Sequence, residues 1–323
     1  MPSAREVRNR IRSVKNIAQI TRALEAEAAS KVRRSQARVL ASRAFAEKAW
    51  EILLNVQSAA GGGGAGALSL LHPLLTPRTN VRNVMIIFIT SDRGLAGAYN
   101  TNILRVARRF SERLSAPTQW ITVGRKGRDS LVRARQNVVA EFTRLPATPM
   151  VADISPIARL AIDSFLSGEV DEVFIAYTDF INLLTQRPTV LRLLPLTPYQ
   201  TDDQAVAEFI KDVPQVSTGG LIYEYEPNPG AILDEIVPRF TVLQLYQAVL
   251  ESQASELAAR MVAMRNASEN AAGLVEDLTL AYNKARQATI TNEILDIVGG
   301  AEALQATLDD MTDQYERALA TPL

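Results

Sequence analysis

Cysteine is absent from the 323 residues, histidine occurs once, and aromatic residues make up only 6%. Without cysteine there are no disulfides, thiolate nucleophiles, zinc knuckles or iron–sulfur clusters. A single histidine leaves a His-ligated metal centre or a serine-type triad short of parts. Net charge is missing too: 35 Lys and Arg balance 35 Asp and Glu, which argues against wholesale neutralisation of a nucleic-acid backbone. The longest apolar runs, such as 84–89, fall far short of the ~20 residues of a membrane span. Met1-Pro2-Ser3-Ala4-Arg5-Glu6 passes directly into charged helical sequence with no signal-type apolar core. A cytoplasm-like compartment is expected.

The zero net charge hides a gradient. Residues 1–50 hold twelve Lys and Arg against four Glu, whereas 251–323 hold five basic residues against twelve acidic. The 200 residues between are nearly neutral, with 18 basic and 19 acidic. Either two ordinary solvated helix faces or a pairing of the chain's ends accounts for this.

Residues 3–57 contain neither Pro nor Gly. Val7, Ile11, Val14, Ile17 or Ala18, Thr21, Leu24, Ala28 and Val32 recur at steps of three and four, the seam of a coiled coil. Ser3 and Glu6 suit a capping box at its start. About 55 helical residues make a rod on the order of 80 Å long, too long for the core of a compact domain. The glycine cluster Gly61-Gly62-Gly63-Gly64 ends it and reads as a linker. The Gly-Lys-Ser/Thr of a phosphate-binding loop is absent. The one histidine, His72, sits in the following loop and is read as inert.

The middle alternates strands and helices. Strands are expected at 83–90, 119–123, 172–177 and 189–194, with a last one at 221–225, and helices at 99–114, after 127, and at 154–166. This order implies an open, largely parallel α/β sheet of Rossmann-like type, faced by helices. From Pro238 to about Leu319 there is no further Pro. A second seam runs through Val242, Leu245, Val249, Leu257, Met261, Met264, Leu278, Tyr282, Ala285 and Ala288, over a length on the order of 120 Å. Two such rods at opposite ends of one chain pair antiparallel if they pair at all, which sets the basic end against the acidic one.

Ser91-Asp92-Arg93-Gly94-Leu95-Ala96-Gly97 follows the first strand, where open α/β sheets carry ligand loops. It lacks the G-x-G-x-x-G spacing, as does Gly124-Arg125-Lys126-Gly127 after the second strand. Asp202-Asp203 and Asp309-Asp310 lie in polar stretches, and no convergent acid–base or nucleophile set stands out. The residues favour a mechanical or scaffolding protein; the alternative is an α/β nucleotide-binding enzyme with helical arms.

Several segments resemble the gamma subunit of F-type, bacterial-like ATP synthases. They include Ile11-Arg12-Ser13-Val14-Lys15-Asn16, Ile20-Thr21-Arg22-Ala23-Leu24-Glu25, the run from Ala28 to Gln36, and the turn from Ser91 to Gly97. Tyr223-Glu224-Tyr225-Glu226-Pro227-Asn228-Pro229 is similar to that family's foot strand. The most specific are the run from Ala258 to Ala267, the run from Tyr282 to Glu293, and Ile297-Val298-Gly299-Gly300-Ala301. The resemblance covers about residues 3–304.

It implies a long antiparallel coiled coil of N- and C-terminal helices plus an α/β domain. The segments would be a coiled-coil helix at 1–59, a linker at 60–80, a foot domain at 81–230, a second coil helix at 231–304 and an extension at 305–323. The implied function is a non-catalytic rotary shaft, without cofactor or metal, coupling proton flow through the c-ring to ATP synthesis in the alpha/beta hexamer. Implied partners are the alpha, beta and epsilon subunits and the c-ring, with no nucleic acid. The implied location is the cytoplasmic face of the cell membrane, peripheral and through the complex. Lys284, Arg286, Gln287, Thr291 and Glu293 match positions that meet a beta-subunit catch loop. Arg260 matches an arginine facing the acidic lever loop of beta, and Tyr223, Tyr225 and Glu226 match foot contacts to c-ring and epsilon. Ala26 and Glu27 depart from the Met and Val the family often carries, and Glu27 is expected to reach a basic side chain across the coil or on beta. The extension is expected to lengthen the shaft's tip.

Overall fold

The computed structural model describes residues 4–61, 72–196 and 229–319. Residues 24–264 form one compact unit, and 1–23 with 265–323 form a second.

Strand β1 (Val84–Ile89) is the centre of the larger unit, with all six residues buried. β-Branched and aromatic side chains on both sides of the pleat require cover on both faces. Around it lie β2 (Thr118–Val123), β3 (Asn137–Phe142), β4 (Glu172–Phe180) and β5 (Gln186–Leu194), in the order β3-β2-β1-β4-β5. All pairings are parallel except β4 with β5. Connecting helices are α2 (Tyr99–Arg113), α3 (Arg125–Arg133) and α4 (Val151–Leu166).

On one face Val84, Ile86 and Phe88 join Ile103, Phe110 and Trp120. Phe88 meets Trp120 edge-on at 5.9 Å, and Phe110 meets Phe174 at 4.8 Å. On the other face Met85, Ile87 and Ile89 pack with α4 and with Leu233, Val237, Phe240 and Val249 of the C-terminal helix. That helix, α5 (Pro229–Leu319), is 91 residues long, and the N-terminal helix, α1 (Ala4–Gly61), is 58.

The sequence reading missed β3, whose alternating half-exposed pattern is that of an edge strand. It placed the start of β5 three residues late and did not foresee that β5 runs antiparallel. The expected strand at 221–225 lies outside the described residues. Gly273, Gly299, Gly300 and Pro238 do not break α5; an exposed helical Gly costs about 1 kcal/mol relative to Ala, less than the flanking turns supply.

Burial along α1 follows steps of four and three through Val7, Ile11, Val14, Ala18, Thr21, Glu25, Ala28, Val32, Ser35 and Val39. Of the two candidates at one slot, Ala18 is the seam residue, because Ile17 is 53% exposed. In the smaller unit α5 continues the pattern at Ser268, Ala271, Val275, Leu278, Tyr282 and Ala285, and Ser268 Oγ donates to the Ala18 carbonyl at 3.3 Å. In the larger unit Val32 and Val39 close against Leu250, Ala254 and Ala258. Ala288 is exposed and does not belong to the seam.

Candidate functional site

In the larger unit the two long helices and the sheet meet at Arg43. Its Nε donates to Glu251 Oε1 at 2.8 Å, and its Nη2 donates to Asp179 Oδ1 at 2.9 Å and to the Phe180 carbonyl at 2.8 Å. The Glu251 and Asp179 side chains are 1% and 6% exposed. Burial works against the guanidinium's charge, but the hydrogen bond and charge of Glu251, then Asp179, outweigh it and hold its pKa above the usual value. Next to Glu251 on α5, Ser252 Oγ accepts from the Thr178 amide, and one turn further Ser255 Oγ donates to the Thr178 carbonyl. The end of β4 is thereby fixed to α5 through both backbone polar groups of Thr178.

The turn Ser91–Gly97 belongs to the same construction. Asp92 Oδ1 accepts from the Arg125 amide and Oδ2 from the Arg144 amide, so this carboxylate caps α3 and fastens the exit of β3. Asn100 Oδ1 accepts from the Ser91 amide, and Ser91 Oγ donates to the Arg93 carbonyl. Gly124, at φ +100°, lets β2's exit lie against β1: a Cβ there would stand 2.3 Å from the Thr90 carbonyl oxygen. Gly124 and Gly127, where an added Cβ would stand under 3.0 Å from its neighbours, therefore serve close packing.

Arg260 closes the turn onto α5. Its guanidinium pairs with Glu256 one helical turn away and donates to the Gly94 carbonyl at 3.1 Å. Burial pushes the Glu256 carboxyl up, and Arg260 pulls it back. Glu27 pairs within its own helix with Lys31 at 2.6 Å. Lys31, followed by the more distant charges of Arg260 and Arg93, lowers its pKa. Within this chain the hydrogen-bonded partner of Glu27 is therefore the i,i+4 Lys31, and Arg260 across the coil acts on it only by its charge.

In the smaller unit Lys284, Arg286, Gln287, Thr291 and Glu293 are all exposed on α5. They do not share one face. At about 100° per residue, Lys284, Gln287 and Thr291 fall within about 60° of one another, while Arg286 and Glu293 lie about 140° away. Tyr223, Tyr225 and Glu226 lie outside the described residues. Among the described residues no group of three or more His, Cys, Asp or Glu is arranged to hold a metal, and no helix is long and apolar enough to cross a membrane.

Sequence reasoning overlooked Arg43, Asp179 and Glu251. A signal was present: Glu251, Ser252 and Ser255 interrupt an apolar seam, and a charged residue in such a run calls for a partner. It also read His72 as an inert loop residue. His72 Nδ1 in fact accepts from the Leu74 amide at 3.1 Å and caps a 3-10 turn (Pro73–Leu75) whose leucines are buried.

Residues 3–304 match the family model described as ATP synthase. A gamma chain of ATP synthase from Roseiflexus castenholzii is 46% identical over 307 residues, covering 94% of this chain and 99% of its own length. One from Dehalococcoides mccartyi is 44% identical over 304 residues, covering 94% and 100%. Among solved structures, the central stalk and c-ring of Tetrahymena thermophila mitochondrial ATP synthase includes a chain of TM-score 0.54 at 25% identity, with 77% of this chain and 99% of that one covered. The rotor of the Euglena gracilis mitochondrial enzyme holds a chain with the same fold, at TM-score 0.59 and 19% identity over 89% of this chain and 98% of that one. A paired-helix coil fastened to an α/β sheet, with relatives matched over nearly their whole length, leaves one assignment: the chain belongs to the ATP synthase gamma chain family, the non-catalytic central-stalk subunit of F-type ATP synthase.

Proposed function

We propose that this chain is the rotating shaft that transmits torque between a membrane c-ring and an alpha/beta catalytic hexamer, with epsilon at its foot, coupling proton flow to ATP synthesis. The observation that carries the reading is the Arg43 joint. A shaft must transmit twist from the sheet domain into its helices without slipping, and the half-buried Arg43 with two buried carboxylates ties both helices to β4. The segments 1–59 and 231–304 serve as the coil and 81–230 as the foot, with 60–80 connecting them. The protein is peripheral, held at the cytoplasmic face of the membrane through the complex.

In this reading Lys284, Gln287 and Thr291 form one contact surface for a beta-subunit catch loop, and Arg286 with Glu293 forms another that the same subunits meet at a different angle of rotation. Arg260 would face the lever loop of beta, and Tyr223, Tyr225 and Glu226 would contact c-ring and epsilon. Ile290, Ile294, Ile297, Leu304, Leu308 and Met311 are exposed on α5, which suits a tip turning in an apolar sleeve, with 305–323 lengthening it.

Co-expression with alpha and beta subunits tests the reading. It requires a stable complex whose ATPase drives rotation of a bead fixed to the foot. An active complex with no rotation, or no complex, would overturn it.

A further inference from the structure

The larger unit holds a cleft of about 590 Å³ at the carboxyl ends of β1 and β2, bounded by α1 and α5. Open α/β sheets take ligands in the crevice beyond these strand ends. Here α5 fills part of it: Ser252 and Ser255 bond Thr178 at the end of β4. What is left lies over Ile89 and Val123, and its volume is that of a small-molecule site.

Its charge is one-sided. Seven cationic side chains line it against two carboxylates, Asp92 and Glu256. Both carboxylates are committed, Asp92 to two backbone amides and Glu256 to Arg260. Lys31, Arg34 and Arg38 reach the cleft from one stripe of α1, at steps of three and four. Arg93 and Arg144 reach it from the loops after β1 and β3, and Arg125 from the first residue of α3. Among the described residues no carboxylate lies within ion-pair distance of Arg38, Arg93 or Arg144, and the buried Nε of Arg125 makes no hydrogen bond, its one ion-pair neighbour being Asp92 Oδ1 at 3.9 Å. Guanidiniums held apart by folding and converging on a concavity have a strong geometric preference for oxygens of the phosphate type.

We propose that this cleft binds a small phosphoanion with two or more linked phosphates, gripped by Arg38, Arg93, Arg125 and Arg144, with Ile89, Val123 and Phe142 as its apolar wall. The grip is by side chains alone, because the α3 amide that would bind phosphate in a nucleotide fold is taken by Asp92. The site binds without reacting, since neither carboxylate is available as a base. A bound anion would bridge α1, the sheet loops and the α5 side of the cleft. An extended acidic peptide shares the charge but needs an open groove and has no use for the apolar wall.

The test is titration of the purified full chain with inorganic tripolyphosphate and, separately, with ATP, at low salt and without metal. Saturable binding that weakens as salt rises is expected. Arg38→Gln with Arg144→Gln should weaken it by about tenfold or more, the loss expected for two charge-assisted contacts. Arg159→Glu, on exposed α4 surface, should leave it unchanged, and thermal melts of each variant confirm folding. ATP binding tighter than tripolyphosphate would assign the wall to a nucleoside, and equal affinities would assign the site to free polyphosphate. No saturable binding, indifference to the double variant, or displacement by oligoglutamate at lower concentration than by tripolyphosphate would each overturn the proposal.

Discussion

The Arg43 Nε lies 2.8 Å from Glu251 Oε1, across 208 positions of sequence, and one nitrogen further on the same guanidinium holds Asp179 at 2.9 Å. One side chain thus fixes α1, α5 and β4 together. A hydrophobic contact would resist separation but allow sliding. A forked, directional set of charged hydrogen bonds resists both.

Removing Arg43 leaves two buried carboxylates without their main counter-charge. Arg43→Met should destabilise the free chain by about 3–5 kcal/mol, read as a lower midpoint in urea. Arg43→Met combined with Glu251→Leu should recover part of that loss, because an apolar pair needs no desolvated partner. A double variant as unstable as the single one would mean that the joint is not where this stability resides.

Arg260→Ala separates an internal role from an external one. The arginine's bonds to Glu256 and the Gly94 carbonyl predict a loss of about 1–3 kcal/mol in the free chain, seen by thermal melting. Were Arg260 only a contact for a partner subunit, the free chain would melt unchanged and only the assembled complex would lose coupling.

His72 gives the fold a mild acid sensitivity. Burial lowers its pKa below the ordinary 6.5, partly offset by Asp234 at 3.8 Å. Between the unfolded and folded pKa values the unfolded chain binds more protons. Its contribution is therefore complete above about pH 6.5 and is lost as pH falls toward the folded value. Protonation also removes the Nδ1 acceptor that caps the turn. His72→Asn, which keeps a capping oxygen, should flatten this part of the stability–pH curve in denaturant titrations.

The two faces of α5 predict a pattern of coupling. In a reconstituted complex, alanine at Lys284, Gln287 or Thr291 should each lower ATPase by up to about tenfold. Pairs within that face should be non-additive, while a pair drawn from both faces, such as Lys284 with Glu293, should be additive. Uniform additivity would dissolve the division.

Gly124→Ala tests the close approach of β2's exit to β1. The left-handed φ and the 2.3 Å clash with Thr90 predict a loss of about 1–3 kcal/mol, against a gain of up to about 1 kcal/mol for Gly299→Ala, which is helical with open surroundings.

Much of this was legible beforehand because it rests on local pattern. The alternation of three and four from Val7 to Val32 records a helix whose one face must be covered. The β-branched runs from Val84 and Glu172 record strands covered on both sides. The missed β3 carries the weaker alternation of an edge. The register choice of Ala18 over Ile17 could not be read either, since both are apolar and only the neighbouring helix decides which fits.

The sequence alone determined the periodicities: two long helices and a βα series. Its zero net charge resolves into a basic end, a neutral middle and an acidic end, because periodicity and charge are properties of neighbours in the chain. Only the tertiary structure decided that Arg43 meets Glu251 and Asp179, that Asp92 is a cap, and that unpaired arginines converge on one cleft. Those are relations between residues tens to hundreds of positions apart, and distance in the chain carries no information about them until packing brings them within a few ångströms.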